Sequence, residues 1–388
     1  MENRLREIIV SVTHRCNLKC AMCQIPLNDV EEMNTSELKE LISDAARLNP
    51  NSFVFSGGEP LLRKDIFELI SFANQYKINT CLTSNGTIIN IEVAKQLADS
   101  GIGVVNISIE GPEDIHDLLR GSGNFKKAVE ALKNLSYYKI ETTIAAVVCR
   151  QNYSSLPYIM ELAHQFGVTT VKFQPFNEMF LIKKEEKENF FALQSEFEEI
   201  KQSIEQVKEL SKKYRITTNP DNYLDIIPLY LTSLWSNSYH NPCSSLLNSC
   251  PISADGNVYL CWALSDRVLG NVKKTKFSQI WNSDEHNRLR ELVSREGCSG
   301  CLMSCYDYNF GGYNLPQVLS LKAKKFAKPK FYKRQYYRIH QYLRYIFKKI
   351  LNRIVNLNLF YRRDNPELAA TLEEIKIAKG ILKKAYFK

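Results

Sequence analysis

Cys16, Cys20 and Cys23 stand in a C-x3-C-x2-C arrangement, and the next cysteine is Cys81. Three closely spaced thiolates can each hold one iron of a [4Fe–4S] cube and leave the fourth iron without a protein ligand. A ferredoxin would supply a fourth cysteine nearby, and structural zinc would want a second pair or a histidine. His14 adjoins the triplet, so a Cys3His zinc site is the alternative, although zinc ligands usually come in C-x2–4-C pairs. A second set follows far along the chain. Cys243-x12-Gly256-x4-Cys261 brackets an expected hairpin, Pro251 to Tyr259, that turns at Asp255-Gly256. Cys298-x2-Cys301-x3-Cys305 then adds a tight group. Such a sulfur-only set suits either a zinc ribbon or an iron–sulfur cluster. Cys81, Cys149 and Cys250 fall in strand patterns and read as small buried hydrophobes.

The elements that must position these groups alternate strand and helix. Strands are expected at Ile8 to Thr13, Ser52 to Ser56, Asn79 to Thr83, Gly103 to Ile109, Glu141 to Val148 and Thr169 to Gln174. Helices are expected at Thr35 to Leu48, with Thr35 or Asn34 as cap, and at Lys64 to Tyr76, Asn90 to Ser100, Phe125 to Tyr138 and Leu156 to Phe166. Six parallel strands with crossovers predict an α/β fold, an open partial (β/α)6 barrel over residues 1–218, since no seventh or eighth unit follows. Lys183 to Tyr214 reads as one or two solvated helices closing the barrel edge. Residues 219–315 read as a small cysteine-rich α+β domain, and 316–388 as a basic helical tail.

In β/α barrels the loops after the strands carry the chemistry. The triplet follows the first strand, Gly57-Gly58-Glu59-Pro60 the second, Ser84-Asn85-Gly86 the third and Glu110-Gly111-Pro112 the fourth. Glycines admit close backbone approach, and a carboxylate such as Glu59 accepts from an ammonium group. This rim suits a zwitterionic, nucleoside-bearing ligand beside an open iron.

C-x3-C-x2-C, SGGEPLLR (Ser56 to Arg63), TSNG (Thr83 to Gly86) and ISIEG (Ile107 to Gly111) together resemble the radical S-adenosylmethionine (SAM) superfamily. HDLLRGSGNF, His116 to Phe125, is similar to its peptide- and sulfatase-maturing branch. The resemblance covers about residues 8 to 175. It implies a [4Fe–4S] cluster on Cys16, Cys20 and Cys23 that binds SAM and, reduced by a donor such as flavodoxin or ferredoxin, cleaves it to a 5′-deoxyadenosyl radical. It further implies that Gly57, Gly58 and Glu59 hold the amino group, that Ser84 and Asn85 line the ribose, and that Ser108 and Arg120 reach the nucleoside and carboxylate. Met22 stands where the family often has an aromatic residue, and is expected against the adenine. The second cysteine set resembles the auxiliary-cluster domain called SPASM, or its shortened twitch form. That domain has seven cysteines and two clusters in full, whereas six lie here, without its C-x2-C-x5-C-x3-C spacing. One auxiliary [4Fe–4S] cluster is therefore expected, on Cys243, Cys261, Cys298 and Cys301, with Cys305 able to replace one of them.

The reaction implied is hydrogen abstraction from a substrate C–H bond, ending in oxidation or cross-linking of a peptide. Trp262 stands where sulfatase maturases carry an Asp base, a departure from that branch. The first strand begins by about residue 8, so no leader-binding module is expected ahead of it. Dehydrogenation or epimerisation of a carbohydrate or lipid-linked substrate is the second reading. A non-enzymatic iron–sulfur or zinc redox protein is the third, and it would not need the GGEP and SNG loops.

Composition is consistent with this. The 388 residues are 44% apolar and 24% charged, a globular profile, and the odd count of 11 cysteines favours metal or cluster use over disulfides. No secretory h-region is present, and apolar runs such as Ile144 to Cys149 are far too short to span a bilayer; a cytoplasmic place is expected. Net charge is +9, yet Pro316 to Arg363 alone carries 14 Lys or Arg and no acid, so the rest is net acidic. Within that tail an apolar stripe (Tyr336, Ile339, Leu343, Ile346, Phe347, Ile350, Ile354, Leu357) runs beside a cationic face. It suits an anionic inner-membrane surface, or equally a stripe docked on the protein. Nucleic acid ranks last, since no recognition module accompanies the charge.

Overall fold

The computed structural model describes residues 5–27, 29–181, 184–234, 248–264, 267–296 and 302. Six strands, β1 (Glu7–Thr13), β2 (Ser52–Gly57), β3 (Asn79–Ser84), β4 (Val104–Ser108), β5 (Glu141–Val148) and β6 (Thr170–Pro175), pair in parallel and in chain order. Between them run α1 (Thr35–Ala46), α2 (Ile66–Asn74), α3 (Ile91–Asp99), α4 (Glu113–Arg120), α5 (Asn124–Tyr137) and, after β5, α6 (Leu156–Gln165). The result is an open β/α barrel, as the strand count predicts.

Alternation along each strand sorts its side chains. Ile8, Val10 and Val12, then Phe53 and Phe55, Leu82, Ile107, Ile144 and Phe173 are fully buried in one core with the helices. The intervening positions face the concave side. Truncating a side chain such as Phe55 to Ala would cost about 3–5 kcal/mol. Helix starts follow the local chemistry. Asn34 caps α1 in a reciprocal box: its Oδ1 accepts from Glu37 N at 3.0 Å, and Glu37 Oε2 accepts from Asn34 N at 2.8 Å. Asn90 caps α3 through Val93 N at 2.8 Å.

Three features differ from expectation. First, α4 occupies a segment read only as a motif. Second, the long charged stretch is α-helical only as α7 (Phe197–Tyr214), with short 3-10 turns at Lys184–Asn189 and Gln194–Glu196 before it. Between these turns Phe190 is buried and stacks on Phe176 at 4.7 Å, while its carbonyl accepts from Arg150 N, which ties the chain to the end of β5. The helix itself buries Ile200, Ile204 and Val207. Third, the sheet does not end with the barrel. Strand β7 (Ser249–Ile252) pairs in parallel with β1, and antiparallel β8 (Asn257–Tyr259) and β9 (Val268–Asn271) extend the sheet to nine strands. The β7–β8 hairpin turns at Gly256, whose φ of +85° favours glycine.

The hairpin is tied in further. Met33 N donates to Ala254 O at 2.7 Å, and Asp44 on α1 accepts from Ser278 N and Oγ at 2.8 and 3.0 Å. The described residues accordingly fall in one compact unit. At the other side, residues 217–219 cover the β6 edge through Thr217 and Asn219. The tail and its stripe lie outside the described residues. Among the described residues no helix is long and apolar enough to cross a membrane.

Candidate cluster and cofactor site

The cysteine loop leaves β1 at Thr13, whose Oγ1 donates to Glu32 Oε1 at 2.5 Å; His14 N donates to the same oxygen at 2.9 Å. The loop after β2 presses directly on it. Gly58 N donates to Thr13 O, and Glu59 N to Arg15 O, both at 2.8 Å. A Cβ on Gly57 would stand 2.2 Å from Thr13 O, and one on Gly58 2.2 Å from Arg15 O. The glycine pair is required by this contact, and Gly57 also has φ +130°.

Glu59 is fully buried. Its carboxylate accepts from Ser84 Oγ (2.9 Å), Asn85 N (2.8 Å) and Leu61 N (3.3 Å), which joins the loops after β2 and β3. Burial pushes its pKa up to about 7, against these hydrogen bonds and the charge of Arg120. Asn85 in turn donates from Nδ2 to Asn17 Oδ1 at 2.9 Å, and that nitrogen lies 3.9 Å from Cys16 Sγ. Leu18 N donates to Cys16 Sγ at 3.4 Å.

On the far side, Arg120 at the end of α4 lies between Glu110 and Cys20. Its Nε and Nη2 donate to Glu110 Oε1 at 2.7 and 2.6 Å, and Nη1 is 3.9 Å from Cys20 Sγ. Burial opposes the Arg120 charge, but Glu110 and the thiols outweigh it and raise the pKa. Glu110 is fully buried, and its Oε2 accepts from Val147 N on β5 at 2.7 Å. His116 Nδ1 accepts from Glu110 N at 3.3 Å; burial and Arg120 lower its pKa to about 4, so the ring is neutral. Ser108 is buried at the C-terminal end of β4.

The three thiols are free and close enough for their charges to interact. Burial pushes all three upward, Cys20 to about 11. Thiolates at this position need a positive partner, and an iron–sulfur cluster ligated by them supplies one. Backbone and side-chain donors aimed at Cys16, and the guanidinium beside Cys20, suit cluster sulfurs. The fit to a cluster is good. Met22 differs from expectation: it is 4% exposed and packs with Leu119, Cys149, Phe176 and Phe190, inside the protein. In the second set, Cys261 is buried beside Leu260 and Leu264. Cys250 is fully buried in β7, with its thiol 3.8 Å from Tyr259 O. Cys243, Cys298, Cys301 and Cys305 lie outside the described residues.

Sequence reasoning assigned no role to Glu110, Asn17 or Arg63. Arg63 is buried, donates to Val12 O and Met33 O, and pairs with Asp65 at 2.6 Å, bracing the end of β1. Glu110 and Arg63 both belong to quoted motifs, which was the available signal.

Residues 10–163 match the radical SAM superfamily, and residues 243–306 the SPASM iron–sulfur cluster-binding domain. The Fe-coproporphyrin III synthase of Methanosarcina barkeri is 29% identical over 310 residues, 74% of this chain and 76% of that protein. The mycofactocin maturase MftC of Mycobacterium ulcerans is 30% identical over 316 residues, 78% of this chain and 80% of that protein. Streptococcus suis SuiB bound to its precursor peptide SuiA shares the fold, with a TM-score of 0.59 and 18% identity over 74% of this chain and 67% of that one. The chain therefore belongs to the radical SAM superfamily and is a radical SAM enzyme with a C-terminal SPASM domain, using a [4Fe–4S] cluster, an auxiliary iron–sulfur cluster and SAM.

Proposed function

We propose that the enzyme oxidises or cross-links a peptide. Cluster and SAM, when bound, supply hydrogen-atom abstraction from a C–H bond. The observation that carries the site is that buried Glu59 joins the loops after β2 and β3, and buried Glu110 joins α4 to β5, around three free thiols. Gly57 and Gly58 bring backbone groups to the amino end of SAM, Glu59 sets their loop, and Ser84 and Asn85 lie beside the ribose. Arg120, with Nη1 turned toward Cys20, and Ser108 complete the pocket. A planar, permanently charged guanidinium suits the carboxylate of SAM. The auxiliary cluster takes Cys243, Cys261, Cys298 and Cys301, with Cys305 as the spare ligand, and the domains divide at residues 218 and 315. An electron donor such as flavodoxin or ferredoxin reduces the chain.

A maturase at 30% identity supports the peptide, as does the shared fold of an enzyme crystallised with its precursor peptide. The Fe-coproporphyrin III synthase at 29% identity favours a second reading, a tetrapyrrole. The test is anaerobic reconstitution, reduction, and release of 5′-deoxyadenosine from SAM, repeated with deuterated candidate peptides and porphyrins. Deuterium in the released 5′-deoxyadenosine identifies the substrate. No 5′-deoxyadenosine under any condition would overturn the reading.

A further inference from the structure

The concave face of the sheet carries side chains that the cofactor site does not use. Glu7 on β1, Cys81 on β3, Asn106 on β4 and Lys172 on β6 all alternate with core positions such as Ile8, Leu82, Ile107 and Phe173. Strands β1 and β6 stand at opposite ends of the barrel's strand order. Cys81 packs against Ile9 and Val54 on this face, and Lys172 lies near enough to Glu7 and Cys81 for its charge to act on both. Burial pushes Glu7 up to about 7 and Cys81 to about 12, and Lys172 opposes both shifts.

Hydrogen bonding here is incomplete. Asn106 Nδ2 donates to Cys81 Sγ (3.1 Å) and Thr83 Oγ1 (3.3 Å), but its Oδ1 is buried without a partner. Glu7 Oε2 is a second buried acceptor without one. Lys172 is exposed and forms no ion pair among the described residues. Buried polar atoms in native proteins are nearly always satisfied, so orphaned ones invite a ligand. Beside this polar floor is an apolar wall, where Ile9 and Val54 meet Met179, Phe180 and Trp262.

We propose that this lumen is a substrate pocket that reads a carboxylate. Lys172 pairs with the carboxylate, a neighbouring N–H or O–H donor satisfies Asn106 Oδ1, and the attached apolar body packs on Phe180 and Trp262. The proposal deepens the radical SAM reading and rests on it, because a substrate must reach the lumen beside the rim. Two sources offer the carboxylate. A peptide C-terminus carries an amide N–H next to its carboxylate, whereas an alkyl carboxylate on a non-peptide body does not.

The test is calorimetric titration of the anaerobic holoenzyme with SAM present. The probes are N-acetylphenylalanine, N-acetylphenylalaninamide, 3-phenylpropionate and 3-phenylpropionamide. Each acid should bind about tenfold or more tightly than its amide, the size expected of one charge-assisted pair. Lys172→Met should make acid and amide equal, and Lys172→Arg should keep the preference; iron content and melting temperature check that both variants fold. A further preference for N-acetylphenylalanine over 3-phenylpropionate bears out the Asn106 contact and assigns the carboxylate to a peptide terminus, whereas equal binding overturns that contact and assigns the carboxylate to an alkyl acid. The proposal is overturned if the holoenzyme does not distinguish acid from amide or binds neither. It is likewise overturned if Lys172→Met keeps the preference. Because the readout is binding, a wild type that fails to cleave SAM would strike the functional reading separately.

Discussion

Glu110→Ala removes the acid that joins α4 to β5 behind the cluster loop. Glu110 is fully buried, and Arg120 leaves only 13% of its side chain exposed. The substitution strands the guanidinium, which loses both bonds to Oε1, and leaves Val147 N without its acceptor. Breaking a buried pair from one side costs about 3–5 kcal/mol, because the remaining charge is uncompensated. Glu110→Gln keeps an acceptor but loses the charge, so its cost should be nearer the 1.5–3 kcal/mol or so of a charged hydrogen bond. Thermal melting of the reconstituted enzyme should therefore rank wild type above Gln and Gln above Ala. The double variant Glu110→Ala/Arg120→Leu should recover part of the loss, since no charge is then stranded. If Glu110→Ala costs less than about 1 kcal/mol, or the two losses simply add, the pair does not brace the site as argued.

Four further outcomes are expected. Arg120→Lys should weaken SAM binding by about 1–3 kcal/mol through loss of the planar fork, and unchanged affinity would remove Arg120 from the pocket. Replacing Cys16, Cys20 and Cys23 together by Ala should leave about half the iron if the chain holds two four-iron clusters, and abolish release of 5′-deoxyadenosine. Gly58→Ala places a Cβ 2.2 Å from Arg15 O and 2.6 Å from His14 O, both backbone atoms, so the loops must part. SAM cleavage should fall on the order of 100-fold, the effect of an ångström-scale misplacement; near-normal turnover would refute the contact. For the tail, full-length protein should sediment with anionic but not neutral vesicles, and a truncation ending near Gln317 should stay in solution; equal behaviour of the two would refute a membrane role.

The parallel strands and their order were legible because alternation and asparagine caps act locally. Asn34 and Asn90 cap the helices they precede, and the core positions of β1 and β2 recur every second residue. What escaped was decided by distant contacts. The segment before α7 has helical composition, yet Phe190 is drawn into the cluster with Met22 and Phe176. Strand β7 is four residues long and contains Pro251, and nothing in so short a run says that β1 is its partner. α4 is short and charged, so its turns were visible only as a motif.

The roles of the two rim carboxylates show where spacing stops being informative. Residue type places Glu59 beside a cationic ligand, but Glu59 and Glu110 each already accept from neighbouring elements. Strand order accounts for both. Loops that follow adjacent parallel strands emerge about 5 Å apart, so side chains at their starts must meet. Glu59 after β2 thus meets Ser84 and Asn85 at the end of β3, and Glu110 after β4 meets Val147 on β5. With the strand order known, the motifs can be read as a belt of adjacent contacts instead of separate ligands to one cofactor. Substitutions at Glu59 and Glu110 should then disturb the cysteine loop and the SAM pocket together.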